Sequence, residues 1–203
     1  MLTLTKTMRD KLTPNQALEM LKAGNNRFVT NLKLNRNLLQ QVNETSDEQY
    51  PFAFILSCID SRTSAELIFD QGLGDIFSCR IAGNILNDDI IGSMEFACKI
   101  AGAKIVVVLG HTECGAIKGA CNQVKMGYLT GLLDKISVVI NETDEAKITD
   151  KSHYYDSVSK ANVKNVLKQI QEKSPIINEL IANEKIILVG AMYDISSGVV
   201  EFY

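Results

Sequence analysis

The sequence predicts an α/β fold, a mainly parallel central β-sheet flanked by helices, with an N-terminal helical arm. Three observations lead there. Short continuous apolar runs recur along the chain, segments of helical spacing separate them, and a polar stretch near the N-terminus stands apart from both. Strands alternating with helices build parallel sheets through right-handed crossovers.

Thr13-Pro14, followed by Ala17, Leu18, Met20, Leu21, Phe28 and Val29, combines an N-cap, a first-turn proline and apolar residues at helical spacing. It reads as an amphipathic helix. Residues 31–50 are polar, with Asn and Gln clusters, and read as an exposed arm able to wrap a partner subunit. Phe52-Ala53-Phe54-Ile55-Leu56 has the continuous apolarity of a strand buried on both faces, and Ile76-Phe77-Ser78-Cys79 is a second candidate. Ile105-Val106-Val107-Val108-Leu109, β-branched and stopped by Gly110, is the clearest strand. Lys185-Ile186-Ile187-Leu188-Val189, before Gly190, repeats its design. Helical segments are expected from Asp88 to Ile100, after Cys114, and from Ser157 through Ile170. Ser197-Gly198-Val199 permits a terminal hairpin. Ligands of open α/β sheets bind at the C-terminal ends of strands, where Cys58 and His111 fall.

The 203 residues, 46% hydrophobic and 22% charged, are read as a single domain, 1–203, with 1–50 as the arm. A net charge of −3 creates no field to draw nucleic acid or an anionic membrane, which leaves a small-molecule substrate. No apolar run reaches the roughly 20 residues of a membrane span. The opening Met1-Leu2-Thr3-Leu4-Thr5-Lys6 lacks a secretory layout, so a cytoplasmic protein is expected. Five cysteines are too few, and odd in number, for a disulfide framework. Reduced thiols suit metal ligation.

The sharpest chemical signal is His111-Thr112-Glu113-Cys114, an imidazole and a thiolate on one tight turn after a strand. Zn2+ takes such donors, and catalytic sites use three protein ligands with a fourth position open. Cys58, at the end of another strand, is the third candidate. A buried cysteine is by default a small hydrophobe, and that reading is kept for Cys79, Cys98 and Cys121. Cys58 opens Cys58-Ile59-Asp60-Ser61-Arg62, where an acid two residues past a ligand can reach the open position and a guanidinium can grip its carboxylate. The alternative for Asp60 and Arg62 is a structural ion pair at the next helix. His153 reads as a surface histidine.

C-x-D-S-R followed by H-x-x-C-G, with Gly74-Asp75-Ile76-Phe77 and Arg80-Ile81-Ala82-Gly83-Asn84 between them, resembles the β-carbonic anhydrase family from about Pro51 to Lys125. The resemblance implies zinc on Cys58, His111 and Cys114, and Asp60 with Arg62 as the family's Asp-Arg dyad. It implies the Gly115 amide and Gln49 as substrate contacts, and Phe77 as an aromatic lining the pocket. Phe96 stands where many relatives carry a tyrosine that reaches the neighbouring subunit's site, and Ser64-Ala65 where relatives often have proline. Ile55 replaces the tryptophan that marks a bicarbonate-regulated branch. The implied reaction is hydration of carbon dioxide to bicarbonate and a proton, in a homodimer or homotetramer. Two rivals share the ligands: a hydrolase of carbon disulfide or carbonyl sulfide, and a noncatalytic zinc-binding module.

Overall fold

β-branched runs dictate the centre of the molecule. The computed structural model describes residues 3–140 and 150–203. Its strands are β1 (Ala53–Ser57), β2 (Ile76–Arg80), β3 (Ile105–His111), β4 (Ile187–Tyr193) and β5 (Val200–Phe202), in the sheet order β2-β1-β3-β4-β5. The first four are parallel, with Phe54 beside Phe77 and Val106, and Val107 beside Val189. β5 returns antiparallel to β4 in the expected hairpin. Central β1 and β3 are buried along their whole length, whereas the edge strand β2 is half-exposed.

Side chains alternate across the sheet, so each strand feeds two cores. Phe54, Leu56, Val106 and Val108 pack on one face with Met94, Val163 and Ile170; Ile55, Val107 and Leu109 pack on the other with Ala17, Leu21 and Phe69. Each of these larger side chains contributes roughly 1.5–3 kcal/mol by leaving water. The helices that supply these partners are α1 (Lys6–Lys11), α2 (Pro14–Val29), α3 (Leu38–Glu44), α4 (Ala65–Ile68), α5 (Asp88–Glu95), α6 (Gly115–Cys121), α7 (Gly127–Ile140), α8 (Lys151–Lys173) and α9 (Pro175–Ala182). Thr13 and Gln16 close a capping box at the start of α2, with Pro14 in its first turn.

One expectation shifts and two gain detail. Gly110 and Gly190 do not end their strands: β3 runs on to His111 and β4 to Tyr193. Both make room instead, since a Cβ on Gly110 would stand 2.7 Å from Val163 and one on Gly190 3.1 Å from it. Helix α8 presses there against the sheet. The 88–100 segment is α-helical to Glu95 and then forms one π-turn, Phe96–Ile100. Residues 31–50 are mostly exposed, as expected of an arm, and hydrogen bonds also fasten them to the body. Asn37 caps α3, Gln41 is buried with its Oε1 accepting the Leu73 amide, and Asp70 takes hydrogen bonds from Arg27, Arg36 and the Leu34 amide. Among the described residues no helix is long and apolar enough to cross a membrane.

Candidate metal centre

Parallel β1 and β3 are neighbours, so their C-terminal ends bring Cys58 and His111 together, while Cys114 stands at the N-cap position of α6. The turn from His111 to Cys114 closes because Glu113 adopts a left-handed conformation, φ 57°. The two sulfurs and a ring nitrogen of His111 lie within 4.8 Å of one another, all in buried residues. Cys58 Sγ and Cys114 Sγ are 3.9 Å apart.

The donor set fits a metal ion. His111 Nδ1 lies 2.8 Å from the Thr112 carbonyl oxygen, which can only accept, so the ring proton sits on Nδ1. That leaves the Nε2 lone pair free, and Nε2 is buried with no hydrogen-bond partner. A buried nitrogen without a partner costs free energy that ligation recovers. The thiols are prepared as well. The Cys114 thiol beside Cys58, with the Asp60 and Gly83 amides, holds the Cys58 thiol far below its usual range against the opposing effect of burial. Sharing a site with that sulfur, and being buried, pushes the Cys114 thiol up. An ion that binds both sulfurs replaces the remaining proton.

Asp60 falls outside this trio because Arg62 grips it. The guanidinium donates from Nε to Oδ1 at 2.9 Å and from Nη2 to Oδ2 at 2.7 Å, and the Arg62 amide adds a bond of 2.9 Å to Oδ1. Hydrogen bonding from the Arg62 side chain, ahead of every other influence, holds the Asp60 carboxyl well below the usual carboxylate range. The carboxylate therefore stays ionised. Gly115 opens α6, and a Cβ built there meets nothing within 4 Å, so the approach to it is open.

Gln49, Phe77 and Phe96 are not brought to this cluster within one chain. Gln49 lines a cavity of about 440 Å³ with Val42, Thr45 and Leu73. Phe77 and Phe96, edge to face with centroids 6.2 Å apart, line another of about 690 Å³ beside the edge strand β2. None of the three ligand candidates lines either cavity. His153 is exposed, at a third cavity with Thr112 and Lys160. Ser64 takes the N-cap position of α4, and Ile55 is fully buried.

Several supporting residues escaped the sequence reading. Arg80 Nε and Thr63 Oγ1 donate to the Cys58 carbonyl at 3.0 and 3.1 Å, and the Gly83 amide donates to Cys58 Sγ at 3.3 Å. Arg80 and Gly83 stand in a segment that drew notice for its likeness alone. On α8, Asp156 and Ser159 touch the His111–Cys114 turn and Asn162 touches Gly83, and no motif marks them.

Comparison with known proteins agrees with this geometry. A family model described as carbonic anhydrase matches residues 53–200. A carbonic anhydrase of Mycolicibacterium smegmatis is 31% identical over 93% of this chain and 92% of its own length. Carbonic anhydrase 2 of Mycobacterium tuberculosis is 32% identical over 91% of this chain and 90% of its own. One of two tetrameric β-carbonic anhydrases from Sordaria macrospora shares the fold with a TM-score of 0.74, at 24% identity, covering 80% of this chain and 89% of that one.

Proposed function

This chain belongs to the β-class carbonic anhydrase family, and from that premise we infer that it hydrates carbon dioxide reversibly to bicarbonate and a proton, with zinc held by Cys58, His111 and Cys114. The observation that carries the ligand assignment is the trio itself: two sulfurs and an unpartnered imidazole nitrogen, converging at the ends of neighbouring strands. Two sulfurs and one nitrogen suit zinc, and three protein ligands leave a fourth position open.

When bound, the ion supplies the Lewis acidity that makes water acidic enough to attack carbon near neutral pH. The chain's own residues do the rest. Asp60, an acceptor only while ionised, takes the hydrogen bond of the attacking water and fixes its orientation. Arg62 keeps the carboxylate at that station and away from the ligand set. A carboxyl with so low a pKa does not retain the proton, which passes on to solvent or buffer. The Gly115 amide, at the start of α6, donates to substrate oxygen where charge develops.

Gln49, Phe77 and Phe96 lie away from this chain's ligands and are assigned to the substrate pocket of a second copy. Exposed Leu32, Leu38, Leu39 and Val42 on the arm give such a copy an apolar surface to cover. Residues 1–203 are taken as one functional unit, with the arm within 1–50, and the assembly as a homodimer or a homotetramer. Five cysteines, none of them in a disulfide, suit a reducing, cytoplasmic setting.

The dyad decides between catalysis and a noncatalytic zinc module. Arg62→Ala and Asp60→Asn should both keep about one zinc per chain while losing most carbon dioxide hydration, since neither replaces a ligand. Wild-type rates in both variants would return the site to a structural role. Carbonyl sulfide run beside carbon dioxide tests the rival substrate, and faster turnover of the sulfide would displace the present reading.

A further inference from the structure

Helix α8 turns an apolar face to the core through Val158, Val163, Val166 and Ile170, yet Ser159 and Asn162 on it are fully buried and polar. With half-buried Asp156 they stand at intervals of three residues, one turn after another. Two meet the backbone of the turn from His111 to Cys114, and the third meets Gly83, which hydrogen-bonds the Cys58 sulfur. Asp156 Oδ1 accepts the Glu113 amide at 3.0 Å, Ser159 Oγ donates to the His111 carbonyl at 3.2 Å, and Asn162 Nδ2 donates to the Gly83 carbonyl at 2.9 Å. Gly83 in turn points its amide at Cys58 Sγ, 3.3 Å away. One side of a single helix thus touches the His111–Cys114 turn directly and Cys58 through Gly83.

Holding α8 against the sheet does not require these side chains, because the apolar residues around them already do so. One of the backbone groups they meet is also under constraint: Glu113, not a glycine, has φ 57°. Such conformations persist where surrounding contacts over-determine them. We propose that Asp156, Ser159 and Asn162 are positioning residues for the metal centre, fixing where its three donors stand. We assign to Asn162, acting through Gly83, a further influence on the donor strength of the Cys58 sulfur. Hydrogen bonds to a ligand sulfur draw off electron density and tune the metal it binds. This rests on reading Cys58, His111 and Cys114 as ligands.

The test uses the full chain loaded with cobalt(II), whose thiolate-to-metal charge-transfer band reports the sulfurs, beside zinc competition against a chromogenic chelator. Asn162→Leu should move the band to longer wavelength, because the Gly83 amide no longer stabilises the sulfur lone pairs, and should weaken zinc binding about 10–100-fold. Asp156→Ala should weaken zinc binding in the same range, while Asp156→Asn, which keeps an acceptor for the Glu113 amide, should restore it. If Asn162→Leu does not fold, Ser159→Ala against Ser159→Thr decides: loss of affinity in the first with rescue in the second supports the proposal. Folded variants with the wild-type band and wild-type affinity would overturn it, leaving the ligand assignment intact. A wild-type chain showing no cobalt–thiolate band would overturn both.

Discussion

Alanine at Gly83 would strike the metal centre through its backbone. Gly83 has φ 66°, where an L-residue costs roughly 1–2 kcal/mol. The added Cβ would stand 2.6 Å from Ile136 Cδ1 and 3.2 Å from Ala116 Cβ. Ile136 is fully buried on α7 and cannot swing into solvent, so overpacking adds about 1–3 kcal/mol. Together the two costs come to about 2–5 kcal/mol, which for a chain of this length lowers the melting temperature by about 4–20 °C. Relief of the strain would rotate the peptide and take its amide away from Cys58 Sγ, so zinc retention should fall with stability. Thermal unfolding by circular dichroism and zinc content after dialysis against a chelator measure both effects. A variant melting within 1 °C of wild type with full zinc would refute the reasoning, since neither the left-handed turn nor the close approach would then exist in solution.

Three further outcomes are expected. Cys114→Ser should lose zinc and hydration together, and elemental analysis finding full zinc in it would remove Cys114 from the ligand set. Asp70→Asn should destabilise the chain by about 3 kcal/mol at neutral pH, because it leaves the buried Arg36 without its carboxylate. Burial alone would raise the Asp70 pKa, yet hydrogen bonds from Arg27, Arg36 and the Leu34 amide hold it below the ordinary 3.8. The stabilisation is therefore complete above that value and disappears as pH falls through the depressed one, so wild type and Asp70→Asn should converge in stability only below about pH 4. A stability difference that vanished already at pH 6 would contradict this. Light scattering should find at least two chains per particle, and a monomer active at nanomolar dilution would end the assignment of Gln49, Phe77 and Phe96 to a neighbour's pocket.

How far the sequence alone reaches depends on how local the signal is. β1 and β3 announce themselves because strands buried on both faces are apolar throughout, and the ligands because each stands at or just beyond the end of such a strand. Gly110 and Gly190 misled as strand ends, since a glycine that admits a packed helix looks the same in one dimension as one that breaks a strand. Helix α3 was hidden because its apolar residues Leu38, Leu39 and Val42 face outward in the single chain, which blurs the amphipathic pattern. The α8 contacts were out of reach for another reason. Asn162 and Gly83 are 79 residues apart, and a buried asparagine gives no sign in sequence of which carbonyl it serves. Arg62 and Asp60 were legible as a pair because only two positions separate them.

The most direct test of the account is a zinc titration. Protein stripped of metal by a chelator is given increasing zinc, and carbon dioxide hydration is followed by stopped flow at each step. The account predicts that activity rises linearly from the uncatalysed rate to a break at about one zinc per chain, and that Cys114→Ser shows no such rise. Full activity in the stripped protein, or a fully loaded wild-type chain no faster than buffer, would contradict it.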